Sequence, residues 1–282
     1  MTTAEPSTPQ TSMAQMSKTQ ASQTQASTTK RIVITGASGA IGQALAKAYA
    51  QAGVTLVLQG RQRDLLQALA SDCQGAGAQT EIVELDVSDV AAVRQWGKSL
   101  GAVDLLVVNA GKNIHIDADS LRETESESDQ LLAINLLSAI ALVQSVLPTM
   151  QTQGHGQIAL VSSLAAWRGL PTTPSYSASK AGLKAYGESL RTNFADKGIK
   201  VNVVLPGYVK SAMCDDMPGP KPFLWTPERA ARVIKRGLDA NRGRITFPFW
   251  LSLGTHLLAC MPDGMASWFL KRLGYGANDK AS

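Results

Sequence analysis

From residue 30 onward the chain alternates short β-branched apolar runs with longer stretches whose apolar residues recur every three or four positions. These two periods distinguish buried strands from amphipathic helices. The strand-like runs fall at residues 31–35, 54–59, 80–85, 104–108, 157–161 and 199–205, with a further edge strand possible at 244–247. Six strands alternating with helices predict an α/β fold, a doubly wound parallel sheet in a single domain. In such a sheet a ligand lies in the crevice at the carboxyl ends of the strands.

Three stretches stand apart from this alternation. Residues 1–29 are built largely from Thr, Ser, Gln and Ala, with no aromatic residue and no apolar run, and they read as a disordered tail. Neither a secretory core nor an arginine before Arg31 is present, so the pattern argues against export and organelle import and for a cytoplasmic location. Residues 128–150 predict one long apolar helix, uncharged after Asp129 and interrupted by Asn135. A buried asparagine there needs a partner for its amide, and bonding a nearby backbone carbonyl would supply one. Residues 245–262 carry no Asp, Glu, Lys or Arg but are flanked by Arg242, Arg244, Lys271 and Arg272. At 18 residues, with Pro248, Gly254 and His256 inside, this run is short and flawed for a spanning helix. Three readings stay open for it: an amphipathic segment on a membrane, a dimer or lid surface, or a cap on the core. The predicted organisation is a tail at 1–29, a catalytic domain at 30–248 and an apolar and basic extension at 249–282.

Composition narrows the setting. The chain has 282 residues, 44% hydrophobic and 17% charged, which is ordinary for a soluble domain. Cys73, Cys214 and Cys260 lack metal-ligand or disulfide spacing, so no metal is expected and a reducing compartment fits. The net charge of +5 is uneven, since residues 221–282 hold ten Lys or Arg against four Asp or Glu. That surplus would suit an anionic membrane surface or a solvated basic face. Nucleic acid is not expected as a partner, because no interleaved stacking aromatics accompany the cations.

Chemistry enters at the strand ends. The first run stops at Gly36, and Gly36-Ala37-Ser38-Gly39-Ala40-Ile41-Gly42 leads directly into a helical pattern. Strand, glycine turn and helix form a phosphate cradle, because glycine lets the backbone approach an anion and the helix N-terminus offers free N–H groups. The second run ends at Gly60-Arg61, without a carboxylate at Gln59 or Gly60. An arginine in this place accepts a ribose 2′-phosphate, which favours NADP(H) over NAD(H); the alternative is that Arg61 merely caps the strand. Tyr176 and Lys180 stand four residues apart on one helical face. An ammonium beneath the phenol would lower its pKa from about 10 and let it exchange a proton with an alcohol or carbonyl oxygen.

The turn Thr35-Gly36-x-x-x-Ala40-x-Gly42, the Asn109-Ala110-Gly111 turn, Ser163 thirteen residues before Tyr176, and Tyr176-x-x-x-Lys180 resemble the short-chain dehydrogenase/reductase family. The resemblance covers about residues 31–211, with Ala40 at a position where the family usually has Gly. It implies a Rossmann-type domain and hydride transfer between a nicotinamide cofactor and a carbonyl or alcohol substrate. Tyr176 would exchange the proton, Lys180 would lower its pKa and hold the nicotinamide ribose, Ser163, chosen over Ser162, would hold the substrate oxygen, and Asn135 would order a relay water. Beyond the glycine turn, the resemblance implies cofactor contacts from Asp86 and Val87 at the adenine and from Asn109, Ala110 and Gly111 beneath it. Pro206, Gly207, Val209 and Ser211 would lie beside the nicotinamide. Residues 212–225 read as a lid whose apolar content suggests a partly lipophilic substrate. Homo-oligomers are common in the family and are expected here.

Overall fold

A computed structural model describes residues 1–2, 29–114, 122–217 and 220–275. Nearly all of the predicted tail at 1–29, two residues of the lid and the last seven of the extension therefore lie outside the described residues.

Seven parallel strands form the sheet: β1 (Lys30–Ile34), β2 (Val54–Gly60), β3 (Gln79–Glu84), β4 (Leu105–Val108), β5 (Gly156–Val161), β6 (Ile199–Pro206) and β7 (Arg244–Phe247). Their order is β3-β2-β1-β4-β5-β6-β7, so the winding reverses between β1 and β4 and opens a crevice at the carboxyl ends there. Helices α1 (Ala40–Tyr49), α2 (Arg63–Gly75) and α8 (Pro227–Asp239) cover one face; α3 (Val90–Ser99), α5 (Ser138–Gln153) and α6 (Pro174–Phe194) cover the other. β2 and β4 are buried along their whole length and largely apolar because both faces are covered, whereas the edge strand β3 is polar and partly exposed. Alternation then divides each strand between two cores: Ile32 and Ile34 pack under α1 and α2, while Val33 packs on the opposite side with Leu142 and Leu183. The seventh strand, left open by the sequence, pairs with β6 from Val203↔Arg244 to Pro206↔Phe247.

The long apolar helix expected at 128–150 is present within Glu125–Gln153 and changes to π-helical geometry in its middle. α4 (Glu125–Leu132) and α5 flank a π-helical turn, Ala133–Leu137, that contains Asn135. Glu125–Gln153 is long and apolar enough to cross a membrane, but 61% of its apolar window is buried and Leu142, Val143 and Val146 belong to the core.

The uncharged run at 245–262 also divides, into the end of β7 and α9 (Phe249–Cys260), followed by α10 (Asp263–Leu270) and a π-helical turn, Lys271–Tyr275. Twelve residues of α helix rise about 18 Å against a hydrocarbon core of about 30 Å. α9 cannot span a bilayer. It packs instead beside the turn Leu164–Ala166, where Leu251 joins Leu164, Val203 and Leu205.

Candidate active site

The glycine turn is shaped by close approach. Gly36 has φ +61°, and a Cβ there would come within 2.8 Å of the Ala110 Cα. A Cβ on Gly42 would lie 2.3 Å from the Gly36 carbonyl oxygen, so the start of α1 can fold down on the turn only without a side chain. Gly39 precedes α1 with no side-chain cap, leaving the first N–H groups of the helix directed into the cleft that Ser38, Ala40 and Ile41 also line. The donor set and the room kept by these glycines fit a pyrophosphate.

Three side chains brace the cradle. Thr35 Oγ1 accepts the N–H groups of Asn109 and Ala110 at 2.9 and 3.0 Å, and Asn109 Nδ2 donates back to the carbonyls of Thr35 and Gly36. Gln59, buried at the end of β2, accepts the Gly36 N–H at 3.1 Å and donates to the Leu85 carbonyl at 2.7 Å. One amide thus joins the ends of β1, β2 and β3. Sequence reasoning registered Gln59 only as the absence of a carboxylate; its signal was a polar residue closing an otherwise apolar strand.

Arg61 lines the cleft next to Gly60, at which a Cβ would meet the Ser38 hydroxyl at 3.1 Å. Its guanidinium lies 3.8 Å from Asp86, with both side chains well exposed. Asp86 is held below the usual carboxylate range, first by the Ser88 N–H and further by Arg61. Val87 and Gly111 line the same cleft, and a Cβ on Gly111 would sit 3.4 Å from both the Asn135 amide oxygen and the Lys180 ammonium.

The proton-handling groups converge on the far side of the crevice. Pro174 opens α6 at a position where its missing N–H costs nothing, and Glu123 accepts the N–H and hydroxyl of Ser175 at that end. This carboxylate fixes the first turn of α6 and was not anticipated from the sequence. One turn on, Tyr176 lines the cleft together with Ser163, whose hydroxyl accepts the Ala165 N–H at 3.1 Å. Ser162 faces elsewhere, donating to the Lys180 carbonyl at 2.7 Å. Lys180 is 4% exposed and donates to the Val161 carbonyl at 3.0 Å, with its nitrogen 5.7 Å from the Tyr176 ring centroid.

Asn135 accepts the Lys112 N–H at 2.8 Å and donates to the Lys112 carbonyl at 2.9 Å and to Ser179. Its side chain is therefore bonded to backbone, the alternative the sequence had left open. The π turn displaces the residue from ordinary helical register and aims it between α6 and the loop after β4.

One expectation is corrected. A lowered phenol pKa was expected at Tyr176, but burial pushes it up, against which the Ser163 hydroxyl acts downward. The same burial lowers Lys180 to about 8. In this pocket, desolvation of each group outweighs their mutual influence.

Beyond these groups the cleft, about 1580 Å³, becomes apolar. Pro206, Gly207, Val209 and Ser211 form its floor, and Ser211 caps the short helix α7 (Ala212–Asp215) by accepting the Cys214 N–H. Met213, Met217 and Phe223 of the predicted lid line the cleft together with Trp250, Leu258 and Phe269 from the C-terminal helices. The apolar wall from α9 and α10 agrees with the lid surface, one of three readings left open for residues 245–262, and the fold extends it to Phe269, Leu270 and Leu273. Gly207 permits it: a Cβ there would meet Leu251 at 2.8 Å.

Comparison with known proteins agrees with this geometry. The family model for short chain dehydrogenase matches residues 30–219. An uncharacterized oxidoreductase of Myxococcus xanthus is 34% identical over 245 residues, 86% of this chain and 96% of the relative. The 3-oxoacyl-[acyl-carrier-protein] reductase FabG of Thermotoga maritima is 31% identical, over 73% of this chain and 88% of its own length. A structure from Agrobacterium tumefaciens solved with bound NADP superposes with a TM-score of 0.66 at 26% identity, covering 77% of this chain and 92% of that one. The glycine cradle, the Ser163, Tyr176 and Lys180 cluster and these matches make the chain a member of the short-chain dehydrogenase/reductase family, an NAD(P)-dependent oxidoreductase.

Proposed function

We propose that the chain is an NADP(H)-dependent reductase converting a partly lipophilic ketone to a secondary alcohol in the cytoplasm. The observation that carries this reading is that Ser163, Tyr176 and the anchored Lys180 line one end of a cleft that is apolar beyond them. NADP(H), when bound, supplies or accepts the hydride. Every other part belongs to the chain. Ser163 holds the substrate oxygen, and Tyr176, kept protonated at neutral pH by burial, delivers its proton to that oxygen. Lys180 lies beneath as a partly depressed cation that returns a proton to the phenol and holds the nicotinamide ribose. Asn135 fixes the backbone of Lys112 and orders the water between Lys180 and solvent.

The cofactor preference rests on Arg61 and Ser38, both beside Gly60, with Gln59 already committed to backbone and no carboxylate at Gln59 or Gly60 to accept a 2′-hydroxyl. Asp86 and Val87 take the adenine, Asn109 to Gly111 support it, and the Pro206 to Ser211 loop closes on the nicotinamide side. The reading includes a catalytic domain at 30–248, an apolar and basic extension at 249–282, and a homo-oligomer.

The test follows NADPH absorbance across aliphatic ketones, 3-oxoacyl thioesters, steroids and sugars. Turnover is expected with a lipophilic ketone or oxoacyl substrate and is expected to fall about 10²–10⁴-fold in Tyr176→Phe, which should still bind NADPH. Turnover only with NAD⁺, or full activity in the variant, would overturn the reading.

A further inference from the structure

α9 carries no charged side chain and eight apolar ones, yet it has no buried residue. A helix of that kind normally lies inside a core, so part of its surface lacks a partner. One side lines the cleft through Leu251 and Leu258. Outside that lining stand Phe249 and Leu253, four residues apart on the helix, with Phe249 68% exposed. α10 adds Met265 and Trp268, which also lie outside the cleft lining, and Trp268 is 58% exposed. Eight of the large apolar side chains left in solvent fall between residues 249 and 273, whereas Leu65 and Leu137 are the ones between residues 29 and 212 among the described residues. Met213, Phe223 and Leu224 of the lid add to this surface, so most of the exposed large apolar side chains lie in the C-terminal part of the described residues.

Charge says what covers it. From residue 249 to 275 the charged side chains are Asp263, Lys271 and Arg272. Asp263 is bound to Arg168 at 2.8 Å, which leaves two exposed cations at the end of the apolar segment, with Arg272 6.0 Å from the Trp268 ring. A second copy meeting this face through a two-fold axis would bring the same cations and no free carboxylate. Aromatic side chains beside Lys and Arg suit the headgroup region of an anionic bilayer. The mouth of the cleft is on this side too, since Trp250, Leu257, Phe269 and Leu273 are exposed and line it.

We infer that α9, α10 and the following turn dock on an anionic membrane surface with the cleft mouth against the lipid, so that the carbonyl substrate enters from the bilayer. The docking stands on the surface alone; the substrate route rests on the proposed lipophilic ketone. The test uses the full chain without cofactor or substrate. It is sedimented with vesicles of phosphatidylcholine and phosphatidylglycerol, and with phosphatidylcholine alone. Binding is expected to the anionic vesicles, to weaken with salt, and to let brominated lipid quench tryptophan fluorescence. Lys271→Gln with Arg272→Gln should lower partitioning on the order of tenfold. Phe249→Ser with Trp268→Ser should do likewise, and neither pair should alter NADPH turnover of a short water-soluble ketone.

If a variant is misfolded by circular dichroism, the salt and lipid-charge dependence of the unaltered chain decides. A folded chain that ignores anionic vesicles overturns docking while leaving carbonyl reduction intact. So does a change from dimer to monomer in the Phe249 and Trp268 variant without any change in vesicle binding, which would make the face a contact between copies. Docking with no ketone turnover would overturn the substrate route instead.

Discussion

Lys180 donates its ammonium to the Val161 carbonyl 3.0 Å away, while the Tyr176 ring centroid lies 5.7 Å from the same nitrogen. The cation is thus anchored to the end of β5, the strand that also delivers Ser163. Its position is fixed before any ligand is considered.

That anchoring has a pH signature. Burial depresses the Lys180 pKa from 10.5 to about 8, so between these values the unfolded chain holds a proton that the folded one has lost. Stability relative to Lys180→Met should therefore rise with pH through that window, by roughly 3 kcal/mol at most. Denaturant midpoints of both proteins between pH 7 and 10.5 check it. Parallel curves would show that the lysine is not desolvated.

Gln59 should matter beyond its modest chemistry. Gln59→Leu removes the acceptor of the Gly36 N–H and the donor to the Leu85 carbonyl. Leaving both groups unpaired should cost about 2–4 kcal/mol and loosen the cradle. Urea denaturation and NADPH titration of the variant should show lowered stability and weaker binding together.

Arg61 should separate affinity from stability. Its contact with Asp86 is long and exposed, so Arg61→Ala should change stability by less than about 1 kcal/mol. NADPH should bind about tenfold more weakly or worse, and NADH almost unchanged, because the lost partner is the 2′-phosphate. Fluorescence titration with both nucleotides gives the ratio, and equal losses would contradict the assignment.

Gly42 offers a steric test. Its Cβ would lie 2.3 Å from the Gly36 oxygen and 2.8 Å from the Ala37 Cα, both backbone atoms that cannot rotate away. Gly42→Ala should destabilise by about 1–3 kcal/mol and reduce NADPH affinity. Thermal unfolding and nucleotide titration measure the two effects. A neutral substitution would mean the turn is looser than these distances imply.

Much of the fold was legible along the chain because local constraints were enough. Residues packed on both faces make the strands continuous apolar runs, as in Leu56-Val57-Leu58, and the glycine turn needs small residues wherever backbone meets backbone. Strand ends in such a sheet converge, so Gly36, Arg61, Asp86, Asn109 and Ser163 could be gathered into one crevice from order alone. The four-residue spacing of Tyr176 and Lys180 fixed their common face for the same reason.

What needed the tertiary structure were properties set by surroundings. The direction of the Tyr176 pKa depends on how much water the closed pocket leaves it, which no spacing encodes. The roles of Gln59 and Glu123 depend on partners 23 to 52 residues away. The uncharged run after Ile245 could be core, wall or surface by composition. Only folding showed one side of α9 roofing the cleft and the other facing solvent, because burial is decided by what a segment packs against and not by its own hydrophobicity.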